Sequence, residues 1–287
     1  MTTPSLFSQL AAWGPEATGS TRPVALMRIG LSAVAVARFA PDLIVARATT
    51  LEAAVLGLFF FAVATAAFVG YRSRAAIGGL GILVFCLYAQ GQMALGPPQW
   101  AHHHVYILGI SCVFLSLTDC GRSFSIDRTL DLAARGVEGA APEHGALWGQ
   151  RLIVLQMSAL YFWTAVDKSD WAFISGQRLE QIFVWTYSGR AMEVLLASPA
   201  LLAAMAIAVV VVEYWLAVAI LLPRSRRFAI PVGLAMHATF AVMLPVQTYS
   251  ITMMILYLAL LDPGRVHRVI DLMVGRPHPA DRASSPK

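Results

Sequence analysis

Eight apolar stretches, most of them near the length a helix needs to cross hydrocarbon, recur between residues 23 and 262 of the chain. They lie at 23–40, 54–71, 75–93, 103–117, 147–166, 201–222, 229–244 and 247–261. No water reaches the backbone in a bilayer core, so every amide must pair inside its own segment. A helix of about 20 residues does this across the membrane. Composition points the same way, because 13% of the residues are charged and 58% are hydrophobic, against about 25% charged in a soluble domain. The expected fold is an all-α integral membrane protein, a bundle of about eight transmembrane helices. The stretch 167–199 is too polar to span and too rich in Trp, Phe, Tyr and Leu to stand in water, so it is expected as an outer-surface interfacial helical segment.

The basic residues settle an orientation for such a bundle. With eight helices and both ends inside, the inner segments hold 16 of the 21 Lys and Arg, among them Arg72, Arg74, Arg224, Arg226 and Arg227. An odd number of helices removes this asymmetry, which the positive-inside rule requires. The expectation is therefore a multi-pass protein of a cell membrane of the bacterial inner-membrane type, with both termini cytoplasmic. Residues 1–22 form a cytoplasmic N-terminal segment without the pattern of a signal peptide, 23–262 the membrane domain, and 263–287 a basic, disordered cytoplasmic tail. The linker 118–146 carries the Gly-rich RGVEGAAPEHGA and reads as a mobile connection, with Ser125 or Asp127 placed to cap a following helix. The basic pI of 9.4 comes from these short clusters and not from a groove for phosphates, so nucleic acid is not an expected partner. The lipid bilayer is. Cys86, Cys112 and Cys120 show no metal or CxxC spacing, and no metal is expected.

An ionisable side chain near the bilayer centre costs about 2.5–3.5 kcal/mol on insertion scales, so each one needs a partner or a task. Glu213 in VVVVEYWLAV and His237 in GLAMHATF stand near the middle of consecutive apolar runs. They are expected to meet, either as polar glue between helices or as a proton-handling pair. Lys168 closes the run LQMSALYFWTAVDK at its outer end, with Tyr161 seven residues earlier on the same helix face and Thr164 between them. A lysine in a dry vestibule can act as a base near neutral pH. Alternatively, Lys168 reaches to water or pairs with Asp167 or Asp170. His102, His103 and His104 enter the fourth run from the same outer side. Adjacent histidines diverge on a helix and make poor joint metal ligands, but imidazole handles protons near neutral pH. Tyr106 suits an aromatic belt, and Gln156 suits interhelical hydrogen bonding.

Several of these pieces, in this order, resemble the HTTM (horizontally transferred transmembrane) domain of the vitamin K-dependent gamma-carboxylase family. They are HHHVYILG, then DCGRSFSID, then LQMSALYFWTAVDK with Gly176 downstream, then Glu213 and His237. The resemblance covers most of 23–262. It implies that Lys168 is a general base toward a reduced naphthoquinone, with O2 and CO2 as co-substrates and a glutamate of a secreted peptide or protein as the carboxylated group. His104 is implied as its catalytic partner, and Tyr106, Tyr161, Glu213 and His237 as shaping the cavity, with His103 and Gln156 expected beside them as hydrogen-bonding support. The chain departs from the family at Asp167, where a second lysine is usual, and at His103, where an asparagine is usual. It also ends soon after the last apolar run, where the full-length carboxylases carry a large extracytoplasmic region. Two functions follow as expectations. One is a quinol- and oxygen-dependent carboxylase or epoxidase-like enzyme; the other is a non-catalytic membrane factor for maturation, immunity or export of a secreted peptide. A small-solute transporter ranks behind both, since polar residues gather toward one half of the bundle.

Overall fold

The computed structural model describes residues 14, 16–95, 103–187 and 198–275, without the side chains of 91–95, 103, 104, 185 and 187. In chain order the elements are β1 (Thr18–Ser20), α1 (Arg22–Leu43), α2 (Leu51–Val69), α3 (Ser73–Leu95), α4 (His103–Leu115), α5 (Ile126–Gly139), β2 (His144–Ala146), α6 (Trp148–Asp167), α7 (Trp171–Ile174), α8 (Gln177–Tyr187), α9 (Pro199–Ala219), α10 (Arg226–Met243), α11 (Gln247–Leu256) and α12 (Pro263–Met273). A 3-10 turn, Tyr257–Leu260, continues α11. The fold is thus all-α apart from one short antiparallel ribbon, in which Thr18 faces Ala146 and Ser20 faces His144. Among the described residues, four helical stretches are long and apolar enough to cross a bilayer: Arg22–Arg47, Leu51–Val69, Ser73–Gln90 and Pro199–Ala219. The other apolar runs form helices that are shorter, as in Val105–Leu115 and Gln247–Leu260, or more polar. Arg151 and Gln156 interrupt α6, and Arg226, Arg227 and His237 interrupt α10.

The chain forms two compact units. One is built from Met1–Ile153 together with Ile255–Lys287, the other from Val154–Met254.

In the first unit α1, α2, α3 and α4 pack as neighbours. Helices α3 and α4 approach so closely that a Cβ on Gly81 would lie 2.7 Å from the carbonyl oxygen of Gly109. Small residues permit this approach where lipid supplies no hydrophobic drive between helices. Helix α2 begins on Thr50, whose side chain accepts from the Ala53 amide, and ends on Gly70 in the left-handed region at φ 73°. Gly70 is doubly required, because a Cβ there would also meet the Arg28 guanidinium at 2.3 Å. Arg28 lies within the apolar run of α1 and is fully buried. It donates to Ser73 Oγ at 3.1 Å, the Cys120 carbonyl at 2.9 Å and the Phe124 carbonyl at 2.5 Å. One buried cation therefore joins α1 to the turn before α3 and to the loop after α4.

The linker 118–146, expected as a mobile connection, is held along its length. Ser125 caps α5 by accepting from the Arg128 amide at 2.9 Å. Asp127 instead caps the neighbouring helix α3, accepting from the amides of Arg72 and Ser73 at 2.8 Å and from Ser73 Oγ at 2.7 Å. The linker then returns through β2 to pair with β1. Residues 263–273 of the expected tail are also helical, as α12, which Asp262 caps through the Arg265 amide at 2.7 Å. The segment 276–287, expected to be disordered, lies outside the described residues. Arg22 ties the two ends of the unit together. Its Nε donates to Glu143 at 2.8 Å, its Nη1 to the His267 carbonyl at 2.8 Å and its Nη2 to Asp271 at 2.8 Å.

In the second unit the interfacial segment forms α7 and α8, which turn on Gly176 at φ 86°. Phe173, Leu179 and Phe183 pack with Leu202, Ala206 and Val210 of α9 in a buried apolar cluster. The short α7 starts on Asp170, which accepts from the Phe173 amide at 2.7 Å and takes Arg178 Nη2 at 2.5 Å. Farther along α9, Ser158 Oγ of α6 donates to the Ala217 carbonyl at 2.6 Å.

Candidate functional site

The second unit brings four of the sequence-selected residues into two pairs. On α6, Tyr161, Thr164 and Lys168 follow one another at i, i+3 and i+7 and share a face. Opposite them stand Glu213 of α9 and His237 of α10. Lys168 Nζ donates to Glu213 Oε1 at 2.5 Å, and the pair forms a salt bridge. Tyr161 Oη and His237 Nε2 are 2.7 Å apart, and both side chains are fully buried. The pairing differs from the expected contact of Glu213 with His237. It also differs from the alternative that Asp167 or Asp170 holds Lys168, since Asp170 is committed to the α7 cap and to Arg178. Spacing puts Tyr161 and Lys168 on one face, and both turn toward the α9 and α10 side. It could not say which of them takes the carboxylate and which the imidazole, because that depends on the crossing of α6, α9 and α10.

Lys168 was expected at the outer end of a span, where it could reach to water. Glu213 lies fourteen residues into α9, about 21 Å along its axis at about 1.5 Å per residue, and Lys168 meets it there. The chain after Lys168 returns along the earlier part of α9, so that Gly176 sits against Leu202 and Ala203. Lys168 directly follows Asp167, the last residue of α6, and meets Glu213 partway along α9.

The surroundings of the pair are aromatic. The Lys168 ammonium stands 5.9 Å from the centroid of Phe173. Tyr214, next to Glu213, hydrogen-bonds Ser169 Oγ at 3.1 Å and packs edge-on against Phe162 with centroids 6.1 Å apart. His237 is framed by the rings of Phe240 and Tyr249, at 5.9 Å and 5.4 Å. Exposure divides the ion pair unequally: the Lys168 side chain is 21% accessible and that of Glu213 is 1%. The amine is thus the reachable end of a charge pair whose carboxylate is sealed. A lysine and a glutamate at this distance can exchange a proton, which converts two charges into a neutral amine and a neutral acid.

Other expected site residues lie elsewhere. Tyr106 belongs to the first unit and packs against Phe85 at 5.6 Å. Gln156 is half-buried on α6. The side chains of His103 and His104 fall outside the described residues. Arg28 was not among the expected site residues, nor were Phe173 and Tyr214 beside Lys168. For Arg28 the signal was present, as an arginine six residues into an apolar run is costly unless something receives it.

A family model described as the HTTM domain matches residues 42–263, a range that contains Tyr161, Lys168, Glu213 and His237. No curated relative and no solved structure matches the chain.

Proposed function

We propose that this chain, which belongs to the HTTM domain family, is a membrane enzyme in which Lys168 is the general base. The observation that carries the reading is the Lys168–Glu213 pair at 2.5 Å, with the amine reachable and the carboxylate sealed. Glu213 takes the ammonium proton into the dry interior. This leaves the neutral amine to accept a proton from an acidic hydroxyl presented beside Phe173. Tyr161 and His237 hold the neighbouring stretch of α6 against α10 and can pass a proton between phenol and imidazole.

The substrate class in this reading is a reduced naphthoquinone. The residues fit such a group: a flat lipophilic quinol finds the Phe173 ring next to the amine and the Phe162–Tyr214 aromatic pair along the same helices. With oxygen, a bound quinol of this kind supplies a base strong enough to take a carbon-bound proton, as carboxylation of a peptide glutamate by CO2 requires. In the topology proposed with it, all eight apolar runs cross the membrane and both termini face the cytoplasm.

The test is oxygen uptake and labelled-CO2 incorporation by the purified protein in lipid nanodiscs with a reduced naphthoquinone and a glutamate peptide. Uptake is expected with the native chain and is expected to vanish in Lys168→Ala. Glu213→Gln is expected to lower it by at least about 100-fold, the scale of general-base contributions. Equal uptake by the native protein and Lys168→Ala overturns the reading. If secreted-peptide maturation in cells then survives Lys168→Ala but not deletion of the protein, the non-catalytic factor takes its place.

A further inference from the structure

Helix α5 gathers its charged side chains on one side, where several are held by neighbouring segments. Asp127 holds the α2–α3 turn, Arg128 donates to the Ala141 carbonyl, and Asp131 accepts from the Ala141 amide at 2.8 Å and pairs with Arg135 at 3.2 Å. On the side opposite them the exposed Phe124, Ile126, Leu130 and Ala133 form an apolar stripe, with the exposed Thr129 at its edge and Val137 beyond the non-helical Gly136. At about 100° per residue, Ile126, Leu130 and Ala133 fall within about 60° of one another. Leu130 is 54% exposed. A helix that turns its polar face to the protein and its apolar stripe away from it needs an apolar medium on the far side.

Charge identifies that medium. Beside α5 lies a cleft of about 580 Å³ that gathers Arg72, Arg74, Arg122, Arg128 and Arg135 with three aspartates. One of the three, Asp127, is already committed to backbone amides. Arg74 and Arg135 remain 61% and 65% exposed. The cleft therefore keeps an excess of positive charge over a space of headgroup size. Phe68 at the end of α2 and Tyr71 just after it are exposed and precede Arg72 in the chain. Helix α12 repeats the arrangement. Its inner side carries His267 and Asp271, while Arg268, Val269, Leu272 and Met273 are exposed.

We propose that α5 lies in the plane of the bilayer with its apolar stripe at the boundary of headgroups and acyl chains, and that the arginine cleft takes the phosphate of an anionic phospholipid. The proposal rests on reading α1, α2 and α3 as spans, and is independent of chemistry at Lys168. Basic clusters next to spans bind anionic lipids through this same combination of charge and insertion.

The test uses the full chain with Cys86→Ser and Leu130→Cys, labelled with bimane and reconstituted in phosphatidylcholine vesicles with or without phosphatidylglycerol. In vesicles containing phosphatidylglycerol, a nitroxide on the acyl chain is expected to quench the label severalfold more than aqueous iodide does. Adding Arg74→Gln and Arg135→Gln is expected to abolish the dependence on phosphatidylglycerol. Quenching by iodide alone overturns the proposal. Protection from both quenchers also overturns it, since that outcome means a protein partner or a second copy covers the stripe. Equal nitroxide quenching in pure phosphatidylcholine removes the anionic-lipid site. Oxygen uptake at Lys168 is measured separately, so the two readings fail independently.

Discussion

At the scale of single residues the Lys168–Glu213 pair has an energetic signature as well as a chemical one. Removing one member of a buried ion pair leaves the other uncompensated and costs about 3–5 kcal/mol, whereas replacing both with apolar groups is often close to neutral. Glu213→Ala is therefore expected to lower the thermal unfolding midpoint in detergent by several degrees. The double change Lys168→Met with Glu213→Leu is expected to regain most of that stability while remaining inactive. A harmless Glu213→Ala would show that water reaches the pair. Arg28 makes a second prediction. Arg28→Met strips donors from the Cys120 and Phe124 carbonyls and from Ser73, and is expected to cost about 3 kcal/mol or more, read as loss of folded protein in detergent. Cys120, beside it, is buried, and burial pushes its thiol up to about 11 even with the Arg28 charge opposing the shift. A raised thiol stays protonated across the neutral range. Methanethiosulfonate reagents are thus expected to leave Cys120 unmodified at pH 8, and rapid labelling there would contradict the buried loop.

At the scale of elements, close helix crossings rest on particular glycines. A Cβ at position 149 would lie 1.7 Å from the Phe114 carbonyl oxygen. Gly149→Ala is expected to drive α6 away from the end of α4 and to reduce the yield of folded protein far more than Gly79→Ala, whose nearest neighbour is Val63 at 3.9 Å. Equal yields would place the α4–α6 crossing elsewhere. Much about elements was legible in the chain itself, because hydropathy runs and caps are local. Seven of the eight apolar runs begin and end within a few residues of helices, and Ser125 or Asp127 was expected to cap the helix that follows them. What was not legible depended on partners distant in sequence. Asp127 looked like a cap for its own helix and serves α3, some fifty residues earlier. Residues 18–20 carry no strand pattern of their own and become one only because residues 144–146 return beside them. The face shared by Tyr161 and Lys168 was visible from spacing, but their assignment to His237 and Glu213 was not.

For the whole molecule, the proposed eight-span topology makes a measurable statement about sides. Reporter fusions after Ala133 and after Met273 are expected to be active only as cytoplasmic reporters, and a fusion after Ser175 only as an extracytoplasmic one. Opposite behaviour of the first two positions would reject the orientation drawn from the arginine distribution. The first unit has a further consequence for how the protein is made. Its residues come from both ends of the chain, with 154–254 intervening, and Arg22 is satisfied only by Glu143 together with His267 and Asp271. During synthesis that guanidinium waits for some 250 residues to be translated before its last acceptors exist. A chain truncated before residue 263 would therefore keep Arg22 paired with Glu143 alone, its guanidinium lacking the two acceptors that α12 brings to it.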